Sequence, residues 1–249
     1  MPVLASPPMK WEDTGAIPEA MWCKTLEPVA AEPPFGAALL QRLGLPGLQV
    51  GALDRRHPSC LNTDLCGLID LSLTETRMDR IFRVDGEAYF VQMDATRPLP
   101  FADAVFDWVY AEHFIEHITL REAIGWLREV RRLLRPDGLV RLTTPDLGRY
   151  AAAYAAGDQA FFAAHSARLE KYGFPPMETR PAWMVNQIFQ FWGHKWIYDA
   201  DELRHAAVEA GFPAGGFRRC AFREGRLPAV AALDYELRND ETIYVELSA

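Results

Sequence analysis

Two neighbouring stretches constrain the fold of this chain most. FADAVFDWVYAEHFIEHI at 101–118 and LRPDGLVRLTTPDL at 134–147 each contain a short, almost continuously apolar run, VFDWVY and LVRLTT. Such runs are typical of parallel strands that are covered on both faces of a sheet. Between them, Thr119 and Glu122 have the spacing of a helical capping box, and apolar residues recur at helical spacing up to Pro136. The pattern predicts a strand, a crossover helix and a second strand within an α/β fold.

Polar residues gather in and just beyond the first of these strands. Glu112, His113, Glu116 and His117 follow its apolar run. Because ligands of open α/β sheets bind at the carboxyl ends of the strands, we expect these four residues to border a binding site. Asp107 lies inside the strand, where an ionised carboxylate is costly unless it is paired. We therefore predict a structural role for Asp107.

Composition and charge narrow the class of protein. The 249 residues are 49% hydrophobic and 24% charged, which is typical of a soluble globular chain, and the net charge of −8 argues against a nucleic-acid partner. No apolar run approaches the roughly 18 residues of a membrane span, and the N-terminus lacks the pattern of a signal peptide. The four cysteines form no CxxC pair. We expect a cytoplasmic protein without a membrane partner, and the oligomeric state stays open.

The rest of the chain completes the predicted sheet. Five further stretches have strand character, which gives about seven strands: LQVG at 48–51, CLNTDL at 60–65, YFVQMD at 89–94, FRRCAF at 217–222 and ETIYVEL at 241–247. AALLQRL at 37–43 predicts a short helix that ends at Gly44. A second helix is predicted to begin after Asp199 and to end at Gly211.

The domain organisation follows from two unusual segments. Residues 1–34 hold seven prolines, which predicts an arm on the domain rather than a regular core element, so residues 1–44 are an arm plus a short helix. Residues 45–249 then form one domain with an aromatic-rich insertion at about 148–198. Eight of the 27 residues from 172 to 198 are aromatic and lack a clean period. This segment is either a lid over a pocket or an irregular part of the core.

Four blocks, in order, resemble a bacterial subgroup of the class I S-adenosylmethionine (SAM)-dependent methyltransferases. They are CLNTDL, PFADAVFDWVYAEHFIEHI, LRPDGLVRLTTPDL and GHKWIYDADELRHAAVEAGF, where the subgroup reads GWxNTD, PFxDxxFDxxxxEHxIEH, LRPGGxxRxxTPDL and GHxxxYDxxxLxxxxxxAGF. The resemblance covers about residues 46–247. It implies a Rossmann-like α/β fold with about seven mostly parallel strands, helices on both faces, SAM as cofactor, and methyl transfer to a small-molecule or glycan-type acceptor.

The same resemblance implies a set of cofactor-binding residues. Asp64 ends the second predicted strand, where a carboxylate can accept hydrogen bonds from both ribose hydroxyls. Asp94 ends the third, next to the adenine amino group, and Ala95 offers a backbone contact to the ring. Turn formation is the structural alternative for both aspartates. The predicted set also includes Gly51, Ala52 and Glu112.

The turn after the first strand departs from the family pattern. The family's glycine-rich turn reads GxG or longer, because glycine lets the backbone approach the cofactor and tolerates positive φ. Here VGALDRRHP keeps Gly51 but has Leu53 in the place of the second glycine. A leucine side chain there would crowd the methionine part of SAM. The alternative function is therefore a catalytically impaired, methyltransferase-like binding module.

Histidines supply the predicted catalytic chemistry. His113, Glu116 and His117 match HxxEH, the zinc motif of inverted metallopeptidases, but that function needs a third ligand from a downstream helix, and no metal is predicted. In a methyltransferase, His113 and His117 are placed to remove the acceptor's proton beside Glu116. His194 is predicted as a further catalytic residue, with Lys195 and Tyr198 on the substrate side. The structural alternative for His194 is a hydrogen bond to a backbone carbonyl.

Overall fold

A computed structural model describes residues 21–52, 55–174 and 176–249. The strands in these ranges are β1 (Trp22–Cys23), β2 (Leu26–Pro28), β3 (Gly47–Val50), β4 (Leu61–Asp64), β5 (Ile69–Asp70), β6 (Ile81–Val84), β7 (Ala88–Gln92), β8 (Phe106–Glu112), β9 (Leu134–Pro145), β10 (Phe217–Cys220) and β11 (Thr242–Ser248). The helices are α1 (Ala37–Leu43), α2 (Leu120–Leu133), α3 (Leu147–Ala156), α4 (Gln159–Lys171), α5 (Pro181–Gln190), α6 (Ala200–Glu209) and α7 (Pro228–Ala231).

A sheet of nine strands, counted over the described ranges, forms the centre of the protein. Its order is β10-β11-β9-β8-β3-β4-β7-β6-β2. The five strands from β9 to β7 are parallel to their neighbours, whereas β11, β10, β6 and β2 join by antiparallel pairing. The parallel strands at the centre are almost fully buried, as their continuous apolar runs predict. Chain order reverses on either side of β3, which creates the crevice where α/β sheets bind ligands.

Helices cover the sheet on both faces. Val109 and Ala111 of β8 point into the main core under α1, α2 and α6, while Trp108 and Tyr110 point to the opposite face under α7. Helix α2 begins with the predicted capping box, in which Thr119 and Glu122 bond reciprocally. The α/β prediction is therefore confirmed.

The prediction of about seven strands is wrong in number. The seven predicted stretches all contain strands, but β2 and β6 extend the same sheet to nine within the described residues. Strand β6 forms a hairpin with β7 through a turn in which Gly86 has φ 72°. A four-residue strand whose arginine faces solvent gives too weak a period for sequence analysis to detect.

The N-terminal region differs from the predicted arm. Residues 1–20 lie outside the described part of the chain, but Leu26–Pro28 of β2 pair with β6, and β1 pairs in parallel with β5 in a separate two-stranded sheet. Proline is tolerated here because β2 lies at the sheet edge, where Pro28 needs no donor on its outer side.

The segment predicted as an insertion, at about 148–198, contains three helices. Helices α3, α4 and α5 pack round a core of their own, formed by Tyr150, Ala153, Phe161, Phe162, Met184, Ile188 and Ile197. Among the described residues, regular helix is absent from 172–174 and 176–180, between α4 and α5, and from 191–198, which lead into α6. None of the helices in the described ranges is long and apolar enough to cross a membrane.

Candidate active site

A cavity of about 600 Å³ opens at the carboxyl ends of β3, β4, β7 and β8. This volume is within the usual range of small-molecule sites. We call it the edge cavity. Its lining combines residues that end each strand with residues of the segment after β8: Val50, Gly51, Thr63, Asp64, Leu65, Cys66, Met93, Asp94, Ala95, Thr96, His113, Phe114, His117, Ile118, Glu122 and Lys195.

The turn after β3 brings the backbone close to the edge cavity. Gly51 has φ 74°, a conformation that favours glycine, and it borders the cavity. Ala52 is buried, and its backbone N–H donates to the Thr63 carbonyl at 3.0 Å, so it fixes the turn rather than lining the cavity. Leu53, which carries the departure from the family pattern, lies outside the described residues.

Asp64, the last residue of β4, and Asp94, two residues after β7, both border the edge cavity. The Asp64 carboxylate accepts from the backbone N–H of Cys66 at 2.9 Å. The Asp94 carboxylate accepts from the N–H and the hydroxyl of Thr96, at 2.9 and 2.6 Å. Both aspartates thus have the turn-forming role that was the structural alternative. Both also border the cavity, so turn formation and ligand binding are compatible here.

The charge of Asp94 is stabilised within this turn. Partial burial acts to raise its pKa, but hydrogen bonds from Thr96 and Arg97 outweigh that effect, so the pKa of Asp94 lies below its usual value. The carboxylate is ionised at neutral pH and serves as a hydrogen-bond acceptor. Beside it, the side chains of Met93, Ala95 and Ile118 form an apolar section of the cavity wall.

A second cavity of about 420 Å³ adjoins the first, and we call it the aromatic cavity. It shares Gly51 and His113 with the edge cavity, and Tyr172, Phe174 and Tyr235 contribute its aromatic wall. The other lining residues are Gln49, Arg55, Glu112, Leu237 and Arg238. The two cavities meet at His113.

Glu112 differs from the predicted cofactor-binding role. It borders the aromatic cavity and does not line the edge cavity. Its carboxylate pairs with Arg55 and accepts from the backbone N–H of Tyr235 at 2.7 Å. The Arg55 guanidinium in turn lies 4.2 Å from the centre of the Tyr235 ring. Glu112 therefore fastens the segment before β11 to the end of β8, a contact that spacing along the chain does not reveal.

Four of the predicted residues form one group around the buried Glu116, which we call the histidine cluster: His113, Glu116, His117 and His194. His113 leaves β8 with φ 46°, and a 3-10 turn at Ile115–His117 follows it. The Glu116 carbonyl accepts from the backbone N–H groups of Lys195 and Trp196 at 2.7 and 3.2 Å. These bonds bring the loop after α5 against the turn, so that the rings of His117 and His194 are 4.9 Å apart.

Burial controls the charges in the cluster. For Glu116, burial alone would raise the pKa, but His113 and, more weakly, the other two histidines lower it to about 2. Burial lowers the pKa of His117 and of His194. The cluster therefore combines an ionised carboxylate with two imidazoles that favour the neutral form.

The HxxEH stretch lacks the helix that a metallopeptidase needs. His113 has positive φ, and only a single 3-10 turn separates it from His117, so the two histidines do not occupy successive turns of an α-helix. His194 instead joins the group from a distant loop. Its Nδ1 lies 2.7 Å from the Ile188 carbonyl, which is the backbone contact that the structural alternative for His194 predicts.

The other predicted residues lie in different parts of the structure. Lys195 lines the edge cavity, while Tyr198 is fully buried in the main core and lines neither cavity. Asp107 is exposed at the start of β8, where its carboxylate accepts from Arg135 at 2.6 Å. Sequence analysis missed Arg55, Tyr235 and Arg238 of the aromatic cavity. They come from short irregular segments that have no periodic signal.

Comparison with known proteins identifies the central domain. Residues 45–142 match the family model of a methyltransferase domain. The match includes β3, β4, β7 and β8, which border the edge cavity, and most of β9. It agrees with the predicted class, the SAM-dependent methyltransferases: residues 45–142 of the chain carry a methyltransferase domain. S-adenosylmethionine is the cofactor of this class.

Solved structures with a similar chain path are distant in sequence. One is a protein described as an O-methyltransferase from Nostoc punctiforme, with 13% identity, coverage of 86% of this chain and 55% of that chain, and a TM-score of 0.43. Two further structures are SAM-dependent methyltransferases. The one from Archaeoglobus fulgidus has 12% sequence identity, with coverage of 86% of this chain and 92% of that chain and a TM-score of 0.41. The one from Mesorhizobium loti has 13% identity, with coverage of 83% of this chain and 91% of that chain and a TM-score of 0.42. This chain spans about half the length of the Nostoc punctiforme protein. Comparison with curated proteins gives no match.

Proposed function

We propose that this protein transfers a methyl group from SAM to a small-molecule or glycan-type acceptor. The observation that carries the proposal is the junction of two cavities at Gly51 and His113. One cavity has the strand-end carboxylates that suit an adenosine, and the other has an aromatic wall that suits an acceptor. Methyl transfer requires the two ligands to meet at such a junction.

The edge cavity is the proposed cofactor site. Asp64 accepts hydrogen bonds from the ribose hydroxyls, and Asp94 from the adenine amino group. The apolar wall beside Ala95 receives the adenine ring. Gly51 has no side chain, so the methionine part of SAM can approach the backbone there. Its positive φ also favours glycine, because any side chain would be strained in this conformation.

The aromatic cavity is the proposed acceptor site. The ring faces of Tyr172, Phe174 and Tyr235 offer flat apolar surfaces of the kind on which sugar rings and other planar groups pack. Arg238 also borders this cavity, and among the described residues its guanidinium has no carboxylate partner within ion-pair distance. It suits an acceptor that carries hydrogen-bond acceptors or a negative charge.

The reaction needs alignment and removal of one proton. SAM supplies an electrophilic methyl group on a sulfonium centre. The walls of the two cavities hold the acceptor oxygen or nitrogen in line with that methyl, and such positioning supplies much of the rate. The histidine cluster borders the junction, and His113 and His117 are the proposed groups that accept the proton released by the acceptor. Glu116 and His194 orient them.

The compartment is part of the same proposal. Burial raises the pKa of the Cys23 and Cys60 thiols to about 11 and about 12, so both stay protonated. Inert thiols of this kind suit the reducing cytoplasm that we propose. The net charge of −8 supports an acceptor other than a nucleic acid.

The test is formation of S-adenosylhomocysteine (SAH) from SAM with panels of glycans, phenols and amines. We expect one acceptor class to give SAH together with an acceptor that is one methylene heavier by mass spectrometry. Asp64→Ala should lower the formation of both products about 100-fold at sub-saturating SAM. Tight SAH binding without turnover on any panel would instead favour the binding module, and replacing Leu53 with glycine would then show whether the turn is the cause.

A further inference from the structure

In its neutral form, His113 presents a lone pair toward Glu116. The Thr242 hydroxyl donates its hydrogen to the Arg238 carbonyl at 2.6 Å, so its oxygen must accept from the Nε2–H of His113, 2.9 Å away. A neutral His113 protonated on Nε2 carries a lone pair on Nδ1. That Nδ1 lies 3.0 Å from a carboxylate oxygen of Glu116.

His194 presents a second lone pair. Its Nδ1 lies 2.7 Å from the Ile188 carbonyl, which can only accept a hydrogen bond, so the proton of the neutral ring is on Nδ1. Its Nε2 therefore carries the lone pair. This atom is buried and has no hydrogen-bond partner among the described residues.

Glu116 supplies the negative charge. Its side chain is fully buried, and one carboxylate oxygen accepts from the Thr144 hydroxyl at 3.0 Å. The other oxygen, like Nδ1 of His113 and Nε2 of His194, has no hydrogen bond of good geometry within the described part of the chain. Buried acceptors without donors are costly and need an explanation.

Ligand atoms of the cluster lie close together. One ligand atom each from Glu116, His117 and His194 all lie within 4.8 Å of one another, and Nδ1 of His113 lies 3.0 Å from a carboxylate oxygen of Glu116. A doubly protonated His113 would satisfy Glu116 but would leave Nε2 of His194 without a donor. We propose that the histidine cluster binds one divalent metal ion through Glu116, His117 and His194, with His113 as a neighbouring fourth donor.

The donor set indicates the kind of ion. Two or three imidazoles with one carboxylate favour Zn²⁺, Co²⁺ or Mn²⁺ over Mg²⁺ and Ca²⁺, which prefer oxygen ligands. Tetrahedral metal–ligand bonds of about 2.0–2.2 Å place the ligand atoms about 3.5 Å apart, so ligand atoms that lie within 4.8 Å of one another need only a small movement to bind an ion. Thr144 and Ile188 already hold Glu116 and His194 in orientation, as supporting residues of metal sites do.

The role of the ion extends the proposed function, although its binding does not depend on that function. An ion bound to His117, which lines the edge cavity, would lower the pKa of an acceptor hydroxyl bound to that ion, and the proton would leave to solvent. No oxidant or reductant is needed. His117 would then be a ligand rather than a base, and these two roles make opposite predictions for a chelator.

The test uses metal-free protein titrated with Zn²⁺ by calorimetry and with Co²⁺ by visible absorption. We expect one equivalent per chain, the absorption bands of Co²⁺ with nitrogen and oxygen ligands, and no binding of Mg²⁺ at the same concentration. Glu116→Gln and His194→Ala should lose stoichiometric binding. Thr144→Val, which removes only the supporting hydroxyl, should weaken it by about tenfold.

The matched control is His205→Ala, because His205 is exposed on α6, away from both cavities. It should bind Zn²⁺ like the unaltered protein. Zn²⁺ should raise the melting temperature of the unaltered chain and of His205→Ala but not of His194→Ala, and circular dichroism checks that each metal-free variant is folded. Absence of stoichiometric Zn²⁺ or Co²⁺ binding by the folded chain would overturn the inference.

The outcome is separable from that of the proposed function. Metal binding is measured without SAM, and SAH binding is measured on metal-free protein. Stoichiometric metal without methyl transfer would leave the site standing and remove the function. Methyl transfer that a chelator leaves unchanged, in protein that binds no metal, would overturn the inference alone and return His117 to the role of base.

Discussion

The edge cavity and the histidine cluster lie side by side but are built differently. Asp64 and Asp94 each bond to groups two residues further along the chain, so local sequence forms their part of the site. The cluster takes His113 from the end of β8 and His194 from the loop after α5, and Thr144 and Thr242 support it from β9 and β11. A local site is readable from motifs, while a site assembled from distant segments is not.

The largest expected effect is a loss of SAH affinity when Asp64 of the edge cavity is replaced. Asp64→Ala removes two charge-assisted hydrogen bonds to ribose, each worth about 1.5 kcal/mol or more, and should weaken SAH binding about 100-fold. Asp64→Asn keeps an oxygen for the Cys66 N–H, so its melting temperature should match that of the unaltered protein while affinity still falls. Calorimetry with SAH measures both variants. Unchanged affinity in Asp64→Ala would assign this residue to the turn alone.

The second-largest expected effect is a loss of stability in a buried hydrogen-bonded scaffold formed by Tyr150, His165 and Glu241. The buried Tyr150 hydroxyl donates to Glu241 at 2.5 Å and lies 3.1 Å from Nε2 of His165. Tyr150→Phe leaves the Glu241 carboxylate short of a donor and should lower the free energy of unfolding by about 2 kcal/mol. Tyr154→Phe, on the exposed side of the same helix, should change it little. Chemical denaturation compares them, and SAH affinity should stay constant in both.

Stability should depend on pH through His165, which belongs to this scaffold. Burial acts to lower the pKa of His165, but Glu241 and Asp240 outweigh it, so the folded pKa lies above the ordinary 6.5. The contribution of His165 to stability is therefore complete below about pH 6.5 and is lost as pH rises through the folded pKa. Melting curves from about pH 6 to pH 9 should show this loss, and His165→Gln should flatten it. Equal slopes in both proteins would contradict the pairing.

The smallest effect lies at the far end of β8. Asp107 and Arg135 form an ion pair whose side chains are 49% and 39% exposed. Asp107→Asn should cost less than about 1 kcal/mol of unfolding free energy and leave SAH binding unchanged. A loss of SAH affinity in this variant would contradict the account, because Asp107 lies at the start of β8 and the proposed cofactor site lies at the other end of that strand.

Much of this molecule follows from its sequence, for identifiable reasons. The apolar runs of β8 and β9 and the capping box of α2 are local signals, and each appears where predicted. Strand β6 was not predicted because its four residues are too few to show an alternating pattern. Strand β2 was not predicted because it contains Pro28, a residue that disfavours strands. Sequence analysis places Glu112 in the cofactor-binding set and cannot show its contacts, because its partners Arg55 and Tyr235 are 57 and 123 residues away along the chain.

The proposed metal site also depends on contacts between residues that are distant in sequence. The HxxEH stretch alone suggested a helical zinc site, and positive φ at His113 removes that helix. Only the folded chain brings His194 to Glu116, and only the hydrogen bonds to Thr242 and Ile188 fix which ring nitrogens carry lone pairs. Tertiary contacts of this kind decide chemistry without leaving a pattern along the chain.

The most direct test of the central claim is a crystal structure of the protein with SAH. We predict the ribose hydroxyls against the Asp64 carboxylate, the adenine beside Asp94 and Ala95, and the sulfur pointing from Gly51 toward His113 and the aromatic cavity. SAH bound elsewhere, or an edge cavity that stays empty in protein saturated with SAH in solution, would contradict the account.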